Sequence, residues 1–214
     1  MNSELFFQQM AEYNNAIWPV QIITYILAVF FIINSIKKWK ISNEINTIIL
    51  SMLWIWNGAI TEILFFSGFQ KQYYFWGSLW ILQGILFLVF GIFKDKFNYK
   101  LQKNWYSYIG ILFILYALII YPLIGFLLGH GYPKGPIFGV APCPVCVFTF
   151  GALLLVNKKI NISVLFFPLL WAILSLYPII MMGIIEDVGE IAAAIIGFIL
   201  IIYRNKHYKE KNAN

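Results

Sequence analysis

Seven apolar stretches, separated by short segments that carry almost every cation of the chain, constrain this sequence more than any motif in it. A helix rises about 1.5 Å per residue, so about 20 mostly apolar residues are needed to cross a hydrocarbon core of about 30 Å. The stretches predict helices over Trp18–Ile36, Ile45–Phe69, Tyr74–Phe93, Ser107–Leu128, Pro144–Val156, Ile162–Met182 and Val188–Tyr203. Composition agrees. Hydrophobic residues make up 61% of the chain and charged ones 11%, whereas a soluble domain carries roughly 25% charged residues. A mean hydropathy of +0.79 leaves too little polar surface to face water, and lipid takes the place of solvent.

The cations set the expected orientation. Lys37, Lys38 and Lys40 follow the first stretch, and Lys94, Lys96, Lys100 and Lys103 the third. Lys158 and Lys159 follow the fifth, and Arg204, Lys206, Lys209 and Lys211 the seventh. If every stretch crosses, these thirteen share one face and only Lys71 and Lys134 lie on the other. Basic loops stay cytoplasmic. The expected fold is therefore all-α: a polytopic membrane helix bundle of about seven transmembrane helices, N-terminus outside and C-terminus cytoplasmic. Residues 1–17 form an outer segment, 18–203 one transmembrane domain and 204–214 a basic tail. Residues 1–17 hold Glu4 and Glu12 but no Lys or Arg, unlike a cleavable signal peptide; the first helix then directs its own insertion. Trp18 and Trp76 at outer ends and Trp39 and Trp105 at inner ends suit an aromatic belt. The expected location is the cell membrane, the inner or plasma membrane of a bacterium.

The fifth helix is short. Thirteen residues span about 20 Å, so the Gly- and Pro-containing loop Gly129–Pro142 before it should fold back into the protein, where irregular backbone is tolerated only if shielded. Gly77, Gly84 and Gly91, seven apart, and Gly189, Ala193 and Gly197, four apart, read as seams for close helix packing. They serve either within the chain or in a homo-oligomer. The net charge of +6 sits in loops instead of on a basic face with interleaved aromatics, which argues against a nucleic-acid partner. The partners expected are the lipid bilayer and a small solute or cation.

An ionisable side chain inside a bilayer is a candidate site by default. Glu62 lies within the second helix with Asn57 and Thr61 nearby. It must be protonated, paired or hydrated, and it reads either as a proton or cation site or as a clip between helices. Glu186, Asp187 and Glu190 sit where the sixth helix turns into the seventh. There they read either as helix-terminus acids or as part of a site. His130 opens the loop that leads to Cys143 and Cys146. A C-x-x-C at a helix start suits redox chemistry or the beginning of a soft metal site. However, thiol oxidases coupled to quinones use two pairs, and a four-cysteine zinc site is excluded by count. The topology brings Glu62, His130, Cys143, Cys146, Glu186, Asp187 and Glu190 to one outer end.

The string from Gly129 to Gly151, GHGYPKGPIFGVAPCPVCVFTFG, resembles a bacterial family of small polytopic membrane proteins of unknown function with a PxFGxxPCPxxxFTFG core. Some members carry the label permease. The resemblance extends to Trp56–Asn57–Gly58 and to Glu186–Gly189, and it implies that Cys143 belongs to the family pattern while Cys146 does not. It implies no substrate, reaction or cofactor. The leading expectation is a non-enzymatic membrane protein with an outward-facing polar cavity for a small solute, cation or proton, built on Glu62, Asn57, His130, Cys143, Glu186, Asp187 and Glu190. The alternatives are a thiol oxidoreductase using Cys143 and Cys146, and an accessory membrane subunit.

Overall fold

The computed structural model describes residues 3–94 and 97–208. Lys96, Lys209 and Lys211, counted above as topology signals, lie outside the described residues, as does most of the basic tail. The described chain forms α1 (Ser3–Ala16), α2 (Val20–Lys37), α3 (Ser42–Gly68), α4 (Gln72–Lys94), α5 (Trp105–Leu127), α6 (Pro142–Leu154), α7 (Ile162–Met182) and α8 (Val188–His207). Five of them, α2, α3, α4, α5 and α7, are long and apolar enough to cross a membrane.

Local chemistry sets the boundaries. Lys38 takes a left-handed conformation at φ 59° and ends α2, and Gly183 ends α7 at φ 73°. Asn104 starts α5 by accepting a hydrogen bond from the Ser107 backbone N–H at 2.9 Å, the usual N-cap arrangement. Pro142 occupies the first turn of α6, where its missing N–H costs nothing. Pro178 cannot donate to the carbonyl one turn earlier, and α7 breaks at Ser175 between Phe166–Leu174 and Leu176–Met182. α3 widens into π-type turns over Asn57–Phe65, the stretch that holds Asn57, Thr61 and Glu62.

α6 is the centre of the bundle: every residue from Pro144 to Leu154 is buried. A helix that is apolar on all sides belongs in the interior, and its shortness follows, because the buried loop segment Gly135–Ala141 completes the depth on one side. α5 crosses it closely, since a Cβ on Gly151 would lie 2.6 Å from the Gly110 carbonyl oxygen. The glycine seams close within the chain. A Cβ at Gly77 would meet the Gly58 oxygen of α3 at 2.6 Å and one at Gly84 the Ser51 oxygen at 2.9 Å, while Gly189 and Gly197 face Tyr116 and Phe150. The outer faces are strongly apolar, with Ile26 and Val29 on α2, Leu112 and Leu123 on α5, and Ile180 on α7 all exposed. A surface of that kind suits hydrocarbon.

The segment 1–17 contains α1, which buries Gln9, Met10, Tyr13 and Asn14. Its polar composition hides the helix from a search for apolar runs.

Candidate functional site

The loop between α5 and α6 is pinned inward by side chains from three helices. Asn14 of α1 donates to the Pro133 and Gly135 carbonyls at 2.7 and 3.0 Å. Thr24 of α2 donates to Phe138 at 3.1 Å. From α3, Asn57 donates to Gly139 at 3.0 Å and Thr61 to Val140 at 3.0 Å. Tyr13 and Thr61 join their hydroxyls at 2.6 Å. The buried loop thus satisfies carbonyls that a membrane interior would otherwise leave stranded. The Asn57 amide donates to the Leu53 and Gly139 carbonyls.

The acids of the α7–α8 turn divide into separate arrangements. Glu186 is buried and pairs with His130, Oε1 to Nε2 at 2.8 Å. The imidazole stacks on Phe7 of α1 at 4.4 Å. His130 therefore serves Glu186 and does not reach Glu62. Asp187 accepts from the Tyr121 hydroxyl at 2.5 Å. Burial pushes the Asp187 carboxyl up to about 7, against the opposing effect of that hydrogen bond. Glu190 is fully buried. Cys143, Cys146 and Ser175 face its carboxylate, yet neither oxygen completes a hydrogen bond among the described residues. The reason is visible nearby, because Cys146 donates to the Pro168 carbonyl and Ser175 to that of Ala172. The Cys143 Sγ and one carboxylate oxygen each from Asp187 and Glu190 lie within 4.8 Å of one another. Both thiols are free.

Glu62 points into the bundle, 3% exposed, and its Oε2 lacks a hydrogen-bond partner among the described residues. Beside it opens a cavity of about 570 Å³. Its polar lining includes Glu62, Thr61, Cys143, Ser175 and Asp187, and its apolar wall includes Phe66, Tyr73, Trp76 and Trp171. α1 closes one side with Phe6 and Met10. Of the residues singled out in the sequence, the cavity unites Glu62, Cys143 and Asp187. It leaves Asn57 behind the loop, and its lining does not include His130 or Glu190. Tyr121 and Ser175 escaped the sequence reading, because a hydroxyl in an apolar helix gives no sign of its partner. His130–Glu186 is the sole ion pair among the described residues, so the acids at the cavity have no basic partner there.

The fold defines an all-α protein of the membrane type, with several helices apolar enough to cross a bilayer and buried acids gathered at one end. The chain belongs to the family of unknown function DUF6064, which matches residues 3–212. That family carries no stated activity and lends nothing to the permease label. No curated protein and no solved structure matches the chain.

Proposed function

We propose that this is a multi-pass protein of the cell membrane whose outward-facing cavity binds a small organic cation. The cavity carries the reading. At about 570 Å³ it falls within the range of small-molecule sites, about 300–1,000 Å³. Glu62 and Asp187, which form no ion pair among the described residues, line it together with Trp76, Trp171 and Tyr73. Carboxylates attract a cation by charge and aromatic faces by their quadrupole, while the apolar wall holds the rest of the solute.

The orientation belongs to the same reading. Seven crossings use α2 to α8, with α6 reaching depth through the buried loop and α8, 20 residues long, spanning about 30 Å. The cation distribution then keeps the α1 end outside. Reporter fusions after Lys40, Lys100 and Lys159 should all report cytoplasm, and an outside signal after Lys159 would remove α6 as a crossing.

Binding is tested with the full chain in lipid nanodiscs. A series of alkylammonium compounds and their uncharged isosteres is titrated while tryptophan fluorescence is followed, since Trp76 and Trp171 line the cavity. Saturable changes are expected for the ammonium members alone, weakened at least about tenfold by Glu62→Gln, a loss of about 1.4 kcal/mol. Equal binding of the uncharged isosteres, or no saturable change, would overturn the reading.

A further inference from the structure

Asp187 and Glu190 occupy the positions where acids often stabilise a helix by capping it, the N-cap and the third residue of α8. Neither does so here. Asp187 makes no side-chain cap to the helix backbone. Its carboxylate turns to Tyr121, and both oxygens of the fully buried Glu190 remain without a hydrogen bond among the described residues. A buried carboxylate with no partner is strongly unfavourable. Glu190 lies against Cys143, Cys146 and Ser175, and two of these give their protons to backbone carbonyls elsewhere. No lysine, arginine or histidine forms an ion pair with Asp187 or Glu190 among the described residues. What the cluster lacks is a positive charge that accepts several donor atoms at once.

We propose that Cys143, Asp187 and Glu190 bind a divalent transition-metal ion of the zinc class. The donor set is one sulfur and two carboxylate oxygens, and these atoms lie within 4.8 Å of one another. Zinc takes thiolate at about 2.3 Å and carboxylate at about 2.0–2.2 Å, so a tetrahedral ion holds its ligand atoms about 3.3–3.8 Å apart. Closing that difference takes about 1 Å of movement, within the reach of a side-chain rotation in Glu190. Magnesium and calcium are disfavoured, because they take oxygen ligands and would leave the sulfur unused. Cys143 and Asp187 also line the cavity, which gives the ion a path in and leaves a fourth position for water or for a donor atom of a solute. The ion neutralises the two acids and ties α6 to the start of α8.

This inference shares Asp187 with the organic-cation reading but does not rest on it, and its test uses the metal alone. Purified full chain without a polyhistidine tag is titrated with zinc by calorimetry, and then with cobalt(II) by absorption spectroscopy. One zinc ion per chain is expected. The cobalt form should show a thiolate-to-metal charge-transfer band together with the strong visible bands of four-coordinate cobalt. Cys143→Ser should abolish the charge-transfer band. Glu190→Gln should lower zinc affinity at least about tenfold, since even groups that only support a ligand contribute about 10–100-fold. If either variant fails to fold, the cobalt spectrum of the unaltered chain still decides. No uptake by the folded chain, a cobalt spectrum without the thiolate band, or undiminished zinc binding in both folded variants would overturn the proposal. Because Asp187 belongs to both sites, the ammonium titration is run on chelator-treated chain; zinc binding without ammonium binding, or the reverse, then tells the failure of one reading from that of the other.

Discussion

The two ends of the α6–α8 pair meet the same difficulty, charge inside an apolar bundle, in different ways. At the C-terminal end of α6, the buried Arg204 of α8 donates from one nitrogen to the Leu153 and Val156 carbonyls at 2.7 and 2.5 Å. Cations are favourable at a helix C-terminus, where carbonyls lack intrahelical partners. Asn205 supports the same region by exchanging hydrogen bonds with Ile160, at 3.2 and 2.8 Å. At the N-terminal end, Asp187 and Glu190 approach α6 with a hydroxyl and two thiols for company. There the dipole favours anions, but the oxygens of Glu190 have no hydrogen bond among the described residues. One end uses a single Arg204 nitrogen to fasten two helices, while its Nε and Nη2 lack hydrogen-bond partners among the described residues. At the other, neither Glu190 oxygen is bonded among the described residues, and Asp187 and Cys143 line a cavity. The cavity, present at the acid end, separates a candidate site from a structural ion.

Substitutions at the two ends should therefore differ in kind. The largest stability loss is expected from His130→Ala, which strands Glu186, only 1% exposed in its side chain. Breaking a buried pair by removing one partner costs about 3 kcal/mol or more, and unfolding in detergent should read it. A loss below about 1 kcal/mol would mean that the pair is not formed. Arg204→Met comes next, at about 2 kcal/mol, as two charge-assisted bonds are lost and the cost of burying the charge is recovered. Metal uptake should be unchanged in that variant, and coupled loss of both would erase the distinction between the ends. Tyr121→Phe removes one hydrogen bond to Asp187 and should cost about 1.5 kcal/mol. Cys146→Ser is the mildest, within about 1 kcal/mol, because a serine hydroxyl can replace the thiol that donates to Pro168.

The helices were legible because lipid-facing segments must be apolar over a fixed length. The expected Ile162–Met182 coincides with α7. α1 was not, as Gln8, Gln9, Glu12, Asn14 and Asn15 conceal a helix that packs through Met10 and Tyr13. The inward loop was foreseeable from Ile137, Phe138 and Val140, apolar residues set among glycine and proline. Side-chain partnerships were not. Nothing in the spacing joins His130 to Glu186, or Tyr121 to Asp187, because these pairs are 56 and 66 residues apart. Counting crossings could bring the acids to one end, but only packing divides them into a paired Glu186, a cavity-lining Glu62 and Asp187, and an uncompensated Glu190.

The central claim, that the acid end opens outwards as a cation-selective cavity, has a direct test in the chemistry of a cysteine placed on its wall. Met182 lines the cavity. Met182→Cys, in a chain whose two native cysteines are replaced by alanine, is exposed from the outside of sealed vesicles to ammonium-bearing and sulfonate-bearing methanethiosulfonates. Reaction from outside is predicted, with the ammonium reagent faster by at least about tenfold, as expected where acidic walls concentrate cations. Reaction only from the inside, or equal rates for the two reagents, would contradict the account.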